Sequence, residues 1–318
     1  MPGRSSEHHS TPSGSEPEVA SKRASRRWWV FLVGLVVVLA LVFVLAPRKS
    51  FFPPLPDPNG YDALVRAAVK MTLNDKGLKE LTTNELAGLL APNKAALLEL
   101  RGALELPSAV PVPMGDQWIA QITNTAHLRF AAATMVVEIF HRKRQGDLVG
   151  ALDEWCDLLR YGQAVSRYGV LIDVLVSTAC ETMVVRSMTN LLSSLNAEQC
   201  KRAASQLERH ELQRESFDEI IGREKEWQRK TLSLAARLEE TFEKQILGQK
   251  PPGKVFVPDV EKEYHARALE IRRLLLAVAS RAFELERKRK PQNASELVPV
   301  YLQALPVDPA SGAALELP

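Results

Sequence analysis

The chain has 318 residues, of which 46% are hydrophobic and 25% charged, a balance that supports a packed core and excludes wholesale disorder. Its 41 Lys and Arg nearly cancel 38 Asp and Glu, leaving a net charge of +3. A nucleic-acid binder carries a larger and segregated basic excess, so no nucleic-acid partner is expected. Three cysteines, Cys156, Cys180 and Cys200, are too few for a disulfide scaffold and are expected to be free apolar thiols.

Residues 1–27 are rich in Ser, Pro, Glu and His, lack aliphatic runs, and read as a disordered cytoplasmic tail. His8 and His9 lie there, and a metal site needs more converging ligands than two. From Trp28 to Ala46 the chain reads WWVFLVGLVVVLALVFVLA, 19 residues without a charge. At 1.5 Å per residue this is about 28 Å, the thickness of the hydrocarbon core of a bilayer. It is longer than a signal-peptide core, and Pro47 directly follows Ala46, so an uncleaved transmembrane anchor is expected. Lys22, Arg23, Arg26 and Arg27 precede it and only Arg48 and Lys49 follow. That asymmetry predicts a cytoplasmic N-terminus, with residues 47–318 outside.

Pro53, Pro54, Pro56 and Pro58 predict a stiff stalk over 47–58 that lifts the domain off the bilayer. Helical patterning begins at Tyr61. Thr82-Thr83-Asn84-Glu85 is a capping box ahead of Leu86, Leu89 and Leu90. After a loop at Pro107, Pro111 and Pro113, Ile119, Ile122, Ala126, Phe130, Ala133, Val137 and Phe140 fall at helical spacing and predict one buried face. Gly146 and Asp147 end that helix and start another. An apolar helix is expected from Gly169 to Leu195, with Asn196 capping the next. Residues 211–247 read as one long charged segment with an apolar stripe (Phe217, Ile220, Ile221, Trp227, Leu234, Leu238, Phe242) that keeps no strict heptad. A linker from Gln249 to Pro258 precedes a last helix over about 259–288. With almost no β-branched alternation, the expected fold is mainly α, with room for a short hairpin near the C-terminus.

No phosphate-binding glycine loop, nucleophile elbow, HExxH or paired CxxC is present, and no serine has a lysine three residues on. No cofactor or metal is therefore expected, and no catalytic residue is nominated. One cluster stands out. Asp173, Ser177 and Glu181 fall at i, i+4 and i+8 of an otherwise apolar helix, and a buried carboxylate must be paired or shift its pKa upward. Arg160, Arg167 or Arg186 are the candidate partners. The stripe reads either as a polar pocket or as a structural ion pair between helices. Asn293-Ala294-Ser295 is an N-glycosylation sequon, relevant only in a eukaryotic secretory pathway.

The stretch Gly146-Asp147-Leu148-Val149-Gly150-Ala151-Leu152-Asp153-Glu154-Trp155 resembles the turn and second helix of a tetratricopeptide repeat, whose small residue and aromatic are matched by Ala151 and Trp155. No second copy lies 34 residues away in either direction, so the resemblance implies one helical hairpin and no array. The C-terminal run Glu296-Leu297-Val298-Pro299-Val300-Tyr301-Leu302, with Leu305-Pro306-Val307-Asp308-Pro309-Ala310-Ser311-Gly312, resembles the tail of type II secretion pseudopilins. It is also similar to that of a broad group of bacterial proteins with one N-terminal membrane helix, which share the Asn59–Val65 start. The anchor lacks the pseudopilin processing site and its glutamate, so filament assembly and a calcium site are not implied. Val298, Tyr301, Leu302 and Leu305 are expected to dock the tail.

The expected organisation is a tail (1–27), a transmembrane helix (28–46), a Pro-rich stalk (47–58), a helical extracytoplasmic domain (59–290) and a docked C-terminal tail (291–318). The expected role is a non-catalytic interaction or scaffold module with the lipid bilayer as one partner and an envelope protein as the other. The alternatives are an envelope enzyme or ligand-binding protein using Asp173 and Glu181, and an accessory subunit of a secretion or pilus-like system.

Overall fold

The computed structural model describes residues 34–35, 50–72, 82–112, 118–231 and 257–317. The chain divides into two units, Met1–Ser50 and Phe51–Pro318. Of the first, only 34–35 and Ser50 are described, so the anchor expected over 28–46 lies almost wholly outside the described residues. Among the described residues no helix is long and apolar enough to cross a membrane.

The second unit is mainly α. Its helices are α1 (Gly60–Val69), α2 (Thr83–Leu90), α3 (Lys94–Leu104), α4 (Trp118–Arg144), α5 (Leu148–Ala164), α6 (Leu171–Leu191), α7 (Ala197–Leu212), α8 (Phe217–Thr231) and α9 (Val257–Arg287). Among the described residues the extended pairing amounts to one isolated bridge, Val307 with Ala314, in the tail hairpin.

Local chemistry starts these helices. Thr82 and Glu85 form the reciprocal capping box at α2, Asp147 Oδ1 accepts from Gly150 N at 2.9 Å at α5, and Asn196 Oδ1 accepts from Gln199 N at 2.9 Å at α7. Each satisfies a backbone donor that the first turn would otherwise leave unpaired. The Asn59-Gly60-Tyr61 start has a tertiary reason as well. Asn59 Nδ2 donates to Ala109 O at 2.8 Å and its Oδ1 accepts from Ala109 N at 3.1 Å, a two-point clasp on the loop after α3. A Cβ on Gly60 would stand 3.0–3.2 Å from the carbonyl oxygens of Ala103 at the end of α3 and of Leu106 and Pro107 just after it, a crowding that glycine avoids.

One hydrophobic core runs through α1, α3, α4, α5, α6, α7, α9 and the tail. Trp155, Leu158 and Tyr161 of α5 are fully enclosed in it, with Trp155 Nε1 donating to Val184 O at 3.0 Å and Tyr161 Oη donating to Leu128 O at 2.8 Å. The indole and phenol thus bury their rings without stranding a polar atom. Ala151 is buried beside them, the small-plus-aromatic arrangement read from the sequence.

The face assigned to α4 differs from expectation. The side chains of Ile119 and Ile122 lie outside the described residues, Ala126 is exposed and Phe130, Ala133 and Phe140 are only half-buried. The core face is instead Leu128, Ala131, Ala132, Met135 and Ile139. The reason is that α4 is covered on two sides: Val137 and Phe140 meet Leu86 of α2 in a satellite cluster, while the adjacent face meets α5 and α6. A stripe drawn through every apolar residue cuts between the two.

Residues 211–247 are not one helix. α7 ends at Leu212 and α8 begins at Phe217, started by Ser216, whose Oγ accepts from Glu219 N while Glu219 Oε2 accepts from Ser216 N. Leu234, Leu238 and Phe242 lie outside the described residues.

The segment from Phe51 to Pro58 is laid on the domain. Phe51 N donates to Glu226 Oε2 of α8 at 2.7 Å, and its ring occupies the space where a Cβ on Gly222 would project, at 2.6 Å. At the other end of the chain, Leu297, Tyr301 and Leu302 are buried in the main core, with Val298 packed at its margin. Tyr301 Oη donates to Glu286 Oε2 at 2.7 Å. The Asp308-Pro309 turn is closed by Asp308 Oδ1, which accepts from Ala310 N and Ser311 N at 2.8 and 3.0 Å, and by Gly312 at φ 72°, a left-handed conformation that glycine takes freely.

Candidate functional site

Where the C-terminal ends of α5 and α7 meet the middle of α6 and the start of α9, a cleft of about 40 Å³ is lined by polar side chains. Since roughly 10–15 Å³ of such space holds one water, it has room for only a few. Glu181 projects into it from α6 and is nearly fully buried. His210 Nε2 stands 2.8 Å from Glu181 Oε1, and Arg214 Nη2 donates to the same oxygen at 2.8 Å. Burial pushes the Glu181 carboxyl up, but Arg214 and His210 outweigh it and hold the group at about 2. The two opposing effects are those expected of desolvation and of close opposite charge.

The network extends outward in both directions. Arg214 Nε donates to Glu211 Oε1 at 2.8 Å, and Arg272 of α9 donates to Glu211 Oε2 at 2.7 Å and to Val307 O of the tail at 2.6 Å. On the other side Arg223 donates to Glu215 Oε2 and to Gly169 O, both at 2.9 Å. These bonds lock the α5–α6 turn, where Tyr168 holds a left-handed φ of 59°. That conformation costs on the order of 1–3 kcal/mol for a residue with a Cβ and persists only where its surroundings enforce it. Tyr168 N donates to Glu215 Oε2 at 3.3 Å, and the guanidinium groups of Arg167 and Arg223 stand over its ring at 5.3 and 6.0 Å from the centre.

The residues of the predicted stripe separate. Ser177 and Glu181 line the cleft, as does Arg167. Asp173, although on the same helix, turns back to the N-terminus of α6, where its Oδ2 accepts from Val170 N at 2.9 Å. The first turn supplies unpaired donors and a positive dipole end, so a carboxylate there is stabilised locally. Arg160 and Arg186 do not reach the stripe. Arg160 leans outward to Glu105 at 3.0 Å and Asp157 at 2.7 Å, and Arg186 is exposed. The partners of Glu181 are His210 and Arg214 instead. The signal for them was present only as a basic end to an amphipathic helix, because cations favour a helix C-terminus.

A second buried cluster carried no sequence signal. Arg101 Nη2 of α3 donates to Glu138 Oε2 of α4 and to Glu154 Oε2 of α5, both at 2.5 Å. Arg142 donates to Glu138 Oε1 at 2.6 and 2.9 Å. Glu154 Oε1 is buried and finds no hydrogen-bond partner among the described residues. Burial and the neighbouring Glu138 raise Glu154 to about 7, against the pull of Arg101. One guanidinium nitrogen between two carboxylates offsets little more than one of their charges, so Glu154 retains its proton to near neutrality.

Nucleophilic chemistry finds no support in the thiols. Cys156, Cys180 and Cys200 are free and buried, and burial pushes them up to about 11, 12 and 11, so they stay protonated and unreactive. Among the described residues no group of three or more His, Cys, Asp or Glu is placed to hold a metal ion. Compared with protein-family models, curated proteins and solved structures, the chain matches none of them.

Proposed function

We propose that this chain is a membrane-anchored helical module, held by residues 28–46, that presents a rigid surface to a protein partner outside the cytoplasm and performs no chemistry itself. The observation that carries the non-catalytic part is the saturation of Glu181. A buried carboxylate held at about 2 by the Arg214 guanidinium and the adjacent His210 ring is a poor base at neutral pH, since an effective one titrates near the working pH. The cleft around it is also too small for a metabolite. The anchor rests on 19 uncharged residues from Trp28 to Ala46, with four cations before them and two after.

The test joins topology to partnership. Reporter fusions at the C-terminus, with the mass of the membrane-extracted chain, should give a full-length, membrane-bound product with an external reporter. Extraction in mild detergent should bring down a stoichiometric protein partner. A soluble shortened product or a cytoplasmic reporter removes the anchor; repeated failure to find a partner removes the scaffold role.

A second reading, a ligand-binding protein or enzyme of the envelope, has one observation in its favour: carboxylate, imidazole and guanidinium converge at Glu181, His210 and Arg214 in a cleft that Ser177 and Arg167 also line. A thermal-shift screen of small anions and polar metabolites checks it, with Arg167→Ala as the variant that should lose any shift. A third reading, an accessory subunit of a secretion system, rests on the likeness of the 296–312 tail alone.

A further inference from the structure

Phe51 and Leu55 are 53% and 52% exposed, although they belong to a segment held on the domain. The backbone bond to Glu226 and the ring seat at Gly222 fix that segment along α8. Beside it lies a cavity of about 200 Å³, walled by Phe52, Pro53, Leu55, Val110, Tyr168 and Lys230, with Lys230 Nζ 5.8 Å from the centre of the Phe52 ring. The exposed charged side chains on the last two turns of α8 are Lys225, Arg229 and Lys230, all basic, while Glu224 and Glu226 are buried. Exposed apolar side chains interleaved with cations are the chemistry of the bilayer interface, where apolar bodies enter the headgroup layer and cations meet anionic lipid.

Chain length sharpens the point. Four residues, Pro47 to Ser50, separate Ala46 from Phe51. Five residue steps reach at most about 18 Å when fully extended. A span ending at Ala46 therefore keeps Phe51 within that distance of the hydrocarbon edge, and the headgroup region alone occupies roughly 5–8 Å of it. Had residues 51–58 stood free, the same chain would have carried the domain well clear of the surface.

We infer that the face formed by Phe51, Leu55 and the C-terminal end of α8 rests on an anionic bilayer surface. This rests on the anchor reading above, and the experiment separates the two. The full-length chain is reconstituted in nanodiscs with and without anionic lipid. An environment-sensitive fluorophore is placed by Leu35→Cys, Leu55→Cys or Val149→Cys, the wild-type chain with its buried thiols serving as the labelling blank. Quenching is then read with nitroxides at the headgroup and deep in the acyl chains. Val149 opens α5, one helix length or about 25 Å from the Tyr168 end of that helix.

The expected result is deep quenching at Leu35, headgroup quenching at Leu55 that needs anionic lipid, and none at Val149. Neutralising Lys225 and Arg229 together should weaken the Leu55 contact about five-fold per cation lost. Quenching at Leu35 without any at Leu55 overturns the surface contact and leaves the anchor standing, opening the groove to a protein segment instead. Equal quenching at Val149 and Leu55 also overturns it, because the contact then has no defined face. Absence of quenching at Leu35 removes the anchor, and the surface assignment falls with it.

Discussion

Arg214 Nη2 reaches Glu181 Oε1 at 2.8 Å across 33 residues of sequence, and both side chains are almost wholly enclosed. The pair ties the middle of α6 to the turn between α7 and α8, with His210 closing the same oxygen from a second direction. Removing one member leaves charge behind in a desolvated site, which is far costlier than removing the whole set. Glu181→Ala should lower stability by about 3–5 kcal/mol in urea unfolding. A loss under 1 kcal/mol would show the cleft to be more hydrated than its geometry implies.

Two buried glutamates give opposite pH dependences. Glu181 has its folded value at about 2, below the usual 4.5, so the fold favours its ionised form. Its contribution is complete above about pH 4.5 and is lost as pH falls toward 2. Glu154 is raised to about 7, so its contribution is complete below about 4.5 and is lost as pH rises through 7. Thermal unfolding from pH 4.5 to 8 should therefore show a falling limb that Glu154→Gln flattens, with the variant more stable than wild type at pH 8. Glu138, Arg101, Arg142 and Asp157 all act on this group, so an unchanged limb would assign the titration to another member of the cluster.

The seat of Phe51 can be tested from below. In Gly222→Ala the new methyl would lie 2.6 Å from the ring, so the ring must swing out. Helix propensity gains up to about 1 kcal/mol from the same change, and global stability should move little. Hydrogen exchange at the Phe51 amide should instead rise sharply as its bond to Glu226 is lost. Unaltered protection there would mean that the segment is held by contacts other than this one.

Deleting residues 291–318 removes Leu297, Tyr301 and Leu302 from the main core. At about 2 kcal/mol for each buried side chain, the loss approaches the whole stability of an ordinary domain. The truncated chain should unfold or aggregate on expression. Val300, exposed at 58%, offers the cleaner probe of any tail-borne association: Val300→Glu should leave the melting temperature unchanged.

Much of the helix plan could be read directly, because caps are local. Thr82, Asp147 and Asn196 each sit within three residues of the donor they satisfy, and each starts the helix assigned to it. Ser216-Phe217-Asp218-Glu219 carries the same signature, and it was overridden by the run of charge and apolar residues on either side. The candidate site was only half legible. Spacing put Asp173, Ser177 and Glu181 on one helix, but spacing cannot say that the first turn of α6 would claim Asp173 for its own donors. Nor can it say that the α7–α8 turn would bring His210 and Arg214 to Glu181. Arg160 was a reasonable candidate by type and turned to Asp157 and Glu105 because its position on α5 faces outward. Arg101, Glu138 and Glu154 come from three helices, and only their packing brings them together.

The enclosure of Leu297, Tyr301 and Leu302 also bears on how the chain is made. The last helix, α9, packs chiefly on α7 and α6, and the tail completes the core that α1 begins. During synthesis the first helices emerge with their apolar faces uncovered, and Leu297, Tyr301 and Leu302, which share their core, follow only after α9. The core is incomplete until residues 297–302 have been translated, so the helices before them stay loosely packed over most of that interval. The nascent chain spends that interval with apolar surface exposed to chaperones and proteases.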